Sequence, residues 1–187
     1  MDRTFRPALR TAFLTFALCA EARAAAPPAP VVAPILPPDA GAPAPAFAAE
    51  RLEGGTLTLA SLRGQVVLLN FWGISCPPCR VEMPELEAIH RRHAASGLVV
   101  LGVAEMNPTR EQARRFVADI GTTYPILLDP GEHLGGLYGL EAHPTTFVID
   151  ARGVVTYVNA GYLKGEEKEI EAAVVAALAA ARAPGRG

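Results

Sequence analysis

Two continuous apolar runs stand out along the chain, residues 65–71 (QVVLLNF) and residues 98–104 (LVVLGVA). Both are short, rich in β-branched residues and free of alternation, the pattern of strands buried on both faces of a sheet. Between them, residues 77–95 read as a helix, with Pro84 as an expected kink and Ser96-Gly97 as the stop. Residues 109–120 predict an amphipathic helix ending at Gly121, and residues 125–128 a short strand. Residues 146–150 and 154–158 predict a hairpin across Ala151-Arg152-Gly153. Residues 166–182 predict a last helix, with acidic residues in its first turn and Arg182 in its last, matching the helix dipole. Upstream, residues 56–59 follow a Gly54-Gly55 turn and predict one arm of a hairpin. Strand–helix–strand units followed by a terminal hairpin give an α/β domain with one mixed sheet. Roughly 140 residues are enough to bury its core without covalent staples.

The N-terminus does not share this pattern. Arg3, Arg6 and Arg10 precede an apolar run over residues 11–20, Glu21 closes it, and Ala22-Arg23-Ala24 offers small-x-small spacing. A secretory signal over residues 1–24 is the expectation, because the run is too short to span a bilayer comfortably. An uncleaved anchor, or a lipoprotein modified at Cys19, ranks below it. Residues 25–46 are almost entirely alanine, proline and valine and predict an extended spacer, leaving residues 47–183 as the domain. The net charge is −2 and no basic run follows the signal, which argues against nucleic-acid binding.

Removing the signal leaves two cysteines, Cys76 and Cys79. A bridge between them closes almost no loop and gains little by constraining the unfolded chain, so reactivity explains the pair better than stapling. Pro77 suits the first position of a helix, which puts Cys76 at the N-terminus, where the dipole and free N–H groups favour a thiolate. Both intervening residues are prolines, so the donors nearest the sulfur are expected from Cys79 and Arg80. The Cys76 thiol pKa is expected within about 3.5–7.5. Cys76, at an exposed tip, is the expected attacking thiol, and Cys79 the shielded one that resolves the mixed disulfide. One CxxC supplies only two metal ligands, and His90 and His93 lie far along the same helix as an expected solvated pair.

Residues 71–84 (FWGISCPPCRVEMP) resemble the active-site segment of TlpA/ResA-like thioredoxins, bacterial envelope disulfide reductases that include the cytochrome c maturation thioredoxins. Residues 143–150 (HPTTFVID) resemble the cis-proline loop of that family, and the likeness runs from about Pro45 to the end of the chain. The resemblance implies a thioredoxin fold, a central mixed sheet flanked by helices, with an N-terminal β-hairpin extension and one inserted αβ unit. It implies a cis Pro144 that packs against the CxxC pair and exposes the preceding backbone to an extended substrate. It implies a buried Glu82, one turn beyond Cys79, that relays protons to and from that thiol. Ordinary thioredoxins carry a buried aspartate where this chain has Asn70. Trp72, Pro77, His143 and Thr145 are implied as substrate contacts. Ser75 stands in place of a second tryptophan, and Ala142 and His143 also depart from the family; His143, if protonated near Cys76, would stabilise its thiolate.

The expected protein is thus a monomeric, periplasmic disulfide reductase. It would need no cofactor beyond a redox-active Cys76–Cys79 disulfide, would take electrons from a membrane donor and would act on protein disulfides. The CxxC motifs of apocytochromes c are the substrates the resemblance suggests. The alternative is a Cu(I)-handling assembly factor for a respiratory oxidase, using Cys76, Cys79 and His143. A peroxidase is discounted, because Gly73 stands where that chemistry wants a threonine.

Overall fold

The apolar run at residue 65 becomes β3 (Val66–Gly73), buried at every position. It is parallel to β4 (Leu98–Glu105) on one side and antiparallel to β6 (Thr145–Ile149) on the other. The computed structural model describes residues 37–183. The remaining elements are β1 (Ala48–Arg51), β2 (Thr56–Thr58), α1 (Pro77–His93), α2 (Arg110–Ile120), β5 (Ile126–Leu128), α3 (His133–Leu137), β7 (Val155–Ala160) and α4 (Glu167–Arg182). The seven strands form one mixed sheet in the order β2-β1-β5-β4-β3-β6-β7. The β1–β2 hairpin extends the thioredoxin fold at its N-terminus, and α2 with β5 forms the inserted unit.

Alternation along β3 divides the core. Val66, Leu68 and Trp72 face α1, α2 and α4, packing with Met83, Leu86, Phe116, Ile170 and Val174. Val67, Leu69 and Phe71 face the other side, where Tyr138, Phe147 and Phe47 close over them. Asn70 has the parity of the first set, so the strand delivers an amide to the α1 face.

Local signals explain the ends of the elements. α1 runs through Pro84, which lies at an exposed position, without a break; the expected kink does not interrupt it. A short 3-10 turn follows, and Gly97 stops it in the left-handed region at φ 99°. Thr109 caps α2 in a reciprocal box: its hydroxyl accepts the Gln112 N–H at 3.2 Å while Gln112 accepts the Thr109 N–H at 2.8 Å. Thr109→Ala should therefore cost about 1 kcal/mol in a urea titration, and an unchanged midpoint would contradict this account of the cap.

Three expectations need correction. The signal and most of the spacer fall outside the described residues, but the spacer's last part is docked. Gly41 and Ala44 donate to the Val155 and Gly153 carbonyls, and Pro43 bridges Val154, so the folded body begins before residue 47. His90 and His93 are not a solvated pair. His93 Nε2 lies 2.7 Å from Glu171 on α4, beside a two-pronged Arg92–Glu171 contact, while His90 packs edge-on against Tyr124. The structure also adds α3, which the hydrophobic pattern does not show, while β1 is the second arm of the expected N-terminal hairpin.

Candidate active site

The β3 strand ends at Gly73, a tight turn follows, and Pro77 opens α1 directly after Cys76. Cys76 is the N-cap: its Sγ accepts the Cys79 N–H at 3.2 Å. The other expected donor is spent elsewhere, because Arg80 N–H donates to the Cys76 carbonyl at 3.4 Å. The Cys76 and Cys79 sulfurs are 1.98 Å apart, a disulfide. Neither cysteine is at an open tip. Cys76 is 7 % exposed and Cys79 0 %, so the asymmetry between them holds while the tip itself is covered. Among the two, only Cys76 can be reached by a partner sulfur.

Behind Cys79 lies a closed polar ring. Glu82, one turn further along α1, is fully buried. Asn70 donates to its Oε2 at 2.7 Å, and the Thr146 hydroxyl donates to its Oε1 at 2.9 Å. Burial is the dominant effect and pushes the Glu82 carboxyl up to about 7, with the two hydrogen bonds opposing it. A carboxyl titrating there is half ionised at neutral pH, the poise a proton carrier needs.

In front lies the loop of Pro144, which is buried and follows a cis peptide bond from His143. The β3–β6 register pairs Phe71 with Thr145, which sets this loop beside the end of β3 that leads into Cys76. Among the described residues no hydrogen bond engages the His143 N–H or carbonyl. Pro77 is exposed at the start of α1.

Two implied substrate contacts are corrected. Trp72 is 0 % exposed and stacked on Phe116 with centroids 4.8 Å apart, so it is a core residue that no substrate touches. The Thr145 side chain is buried and bonded to the Ala142 carbonyl at 2.7 Å, closing the loop rather than facing outward. His143 also differs from the cation expected beside Cys76. Burial holds its imidazole below the usual histidine range, and Nε2 lies 3.9 Å from Glu105 Oε2. A neutral ring does not stabilise a thiolate by charge.

Glu105 is the group missed in the sequence. It ends β4, pairs across the ladder with Gly73, and is 2 % exposed. Burial, then the adjacent Asp129 carboxylate, push its carboxyl up to about 9. Asp129 Oδ2 accepts the Leu134 and Gly135 N–H groups at 2.7 and 3.0 Å. A Cβ at Gly135 would come within 2.5 Å of Glu105 Oε2, so a larger residue there would have to push that carboxyl aside. The readable signal was an acid directly after a buried apolar run, at the strand end where α/β sheets carry their sites. No group of three or more His, Cys, Asp or Glu side chains among the described residues is arranged to hold a metal ion.

The AhpC/TSA family model matches residues 40–158. The thiol-disulfide oxidoreductase ResA of Halalkalibacterium halodurans is 37% identical over 122 residues, covering 65% of this chain and 69% of that protein. The thioredoxin-like protein YneN of Bacillus subtilis is 32% identical over 130 residues, 69% of this chain and 76% of its own. A solved thioredoxin-family thiol:disulfide interchange protein from Chlorobium tepidum superposes with a TM-score of 0.65 at 29% identity, covering 75% of this chain and 98% of that one. A secreted thiol-disulfide isomerase from Corynebacterium glutamicum gives 0.66 at 30% identity, covering 73% and 85%. Sequence kinship over most of the domain thus coincides with a disulfide whose two sulfurs differ in access. The chain belongs to the AhpC/TSA family and, within it, is a thiol–disulfide oxidoreductase of the ResA type.

Proposed function

We propose that this oxidoreductase works as a reductase of protein disulfides outside the cytoplasm, recharged by a membrane electron donor, with the CxxC disulfides of apocytochromes c as substrates. The observation that carries the direction is the pairing of a buried Cys79 with a buried carboxyl on the next turn of α1, raised to about 7. The Cys76 thiolate, held by the Cys79 N–H, attacks a substrate disulfide and releases one substrate thiolate. Glu82 then takes the Cys79 proton. The Cys79 thiolate attacks Cys76 Sγ, the electron pair leaves on the second substrate sulfur, and the Cys76–Cys79 disulfide remains. The free His143 N–H and carbonyl supply a strand edge for the substrate backbone on either side of its cysteine. Export is supported by the N-terminal segment and by the secreted Corynebacterium neighbour.

Equilibration against glutathione buffers tests the direction. A reductase should stay oxidised until the buffer is far more reducing than about −200 mV. A potential near about −120 mV, that of a strong disulfide donor, would overturn the reductase reading. For the substrate, a Cys79→Ala protein expressed in the native envelope should hold c-type apocytochromes on Cys76; capture of many unrelated proteins would end the cytochrome assignment.

A further inference from the structure

The strand position that holds a buried acid in ordinary thioredoxins here holds Asn70, directly opposite Thr146 in the β3–β6 ladder. Both side chains face α1, and both are 0 % exposed. The Asn70 amide has two hydrogens. One goes to Glu82 Oε2 at 2.7 Å and the other to Thr146 Oγ1 at 2.9 Å, while the Thr146 hydroxyl hydrogen goes to Glu82 Oε1 at 2.9 Å. Every donor in the ring therefore ends on the carboxylate, directly or through the hydroxyl, and none asks the carboxyl to donate. The amide's other end, Asn70 Oδ1, is buried without a partner. Leaving it so costs about 1–3 kcal/mol, which packing alone would not sustain. The amide is spent on its donors.

From this geometry we propose that Asn70 and Thr146 are positioning residues that hold Glu82 ionised and aimed, making it a usable base for Cys79 at neutral pH. Buried alone, a glutamate keeps its proton well above pH 7, as a carboxyl in an apolar site does. Two donors to the charged form bring it back. An aspartate at position 70 would fail in this task, because a second carboxylate within hydrogen-bond reach drives one of the pair up further. The charged and titratable groups facing Glu82 are Glu166, just before α4, which opposes ionisation, and the tyrosines Tyr124, Tyr157 and Tyr162. The inference rests on Glu82 serving Cys79 as proposed above, and it adds which residues set its ionisation.

The test is a carbon-13 titration of the Glu82 carboxyl in the oxidised full-length protein, assigned with Glu82→Gln, for Thr146→Val and Asn70→Leu. Each should weaken the ionisation by about tenfold, the loss of one hydrogen bond to a charged group. Thr146→Ser keeps the hydroxyl and should restore the native midpoint, which separates lost donation from a disturbed fold. In single-turnover reduction of glutathione disulfide, the pH midpoint of the Cys79 step should move up with the carboxyl while the alkaline plateau stays. At pH 7 the rate should then fall about fivefold, as the ionised fraction drops from a half to about a tenth. A Glu82 midpoint that stays put, or moves down, in folded Thr146→Val and Asn70→Leu overturns the proposal. A carboxyl that moves while the rate profile does not would leave the donor ring standing and sink Glu82 as the base.

Discussion

Cys76→Ser should reduce thiol–disulfide exchange to the uncatalysed background, whereas Cys79→Ala should complete the first half of the reaction and stop at the mixed disulfide. The two cysteines are three residues apart and bonded to each other, yet their surroundings differ in kind. Cys76 Sγ sits at the N-cap with the Cys79 N–H on it and keeps a window to solvent. A serine hydroxyl there stays protonated at any working pH, so neither the dipole nor the N–H has an anion to favour. Cys79 has no window. It reaches only Cys76 or what is bonded to Cys76, which limits it to resolution. Mass spectrometry after incubation with glutathione disulfide checks both halves: one glutathione per chain on Cys79→Ala, none on Cys76→Ser. A stable adduct on Cys79 in the Cys76→Ser protein would reverse the roles assigned here.

The parts of this site that follow chain order were legible in the sequence. The buried run before the CxxC and the proline that opens α1 are local, and periodicity with helix-start chemistry finds them; the glutamate one turn past Cys79 is local too, but its role came from the family resemblance. What was not legible depends on register. Asn70 and Thr146 are 76 residues apart and meet only because β3 and β6 pair at that step. Trp72 misleads for the same reason. Beside a reactive cysteine an aromatic ring suggests a contact surface, but strand parity turns this one inward onto Phe116. α3 escapes because HLGGL is five residues with two glycines, a poor helix by propensity, held by the Asp129 carboxylate on its first N–H groups. His143 directly precedes the cis Pro144 and loses its expected charge, since burial was not readable from one residue before a proline.

Glu105→Gln should stabilise the protein at pH 8 and leave it nearly unchanged at pH 4. The carboxyl of Glu105 is raised from 4.5 to about 9 by burial and by Asp129 beside it. Between those values the folded chain holds a proton that the unfolded chain has released. Stability then falls as pH rises across the window, by up to about 1.4 kcal/mol per pH unit. Below pH 4.5 both states are protonated and the group contributes no slope. Glutamine cannot ionise in either state, so the variant loses that slope. Partial relaxation around the carboxyl reduces the ideal figure, and a gain of about 2 kcal/mol at pH 8 is expected. Urea midpoints at the two pH values measure it; an equal shift at both, or a loss at pH 8, would show that Glu105 is ionised in the folded protein. A cost of this size, kept at the end of the sheet where Cys76 and the Pro144 loop converge, is better explained by the site than by the core. An apolar residue would have filled the same space without it, whereas this acid lies 3.9 Å from His143, the residue before the cis Pro144.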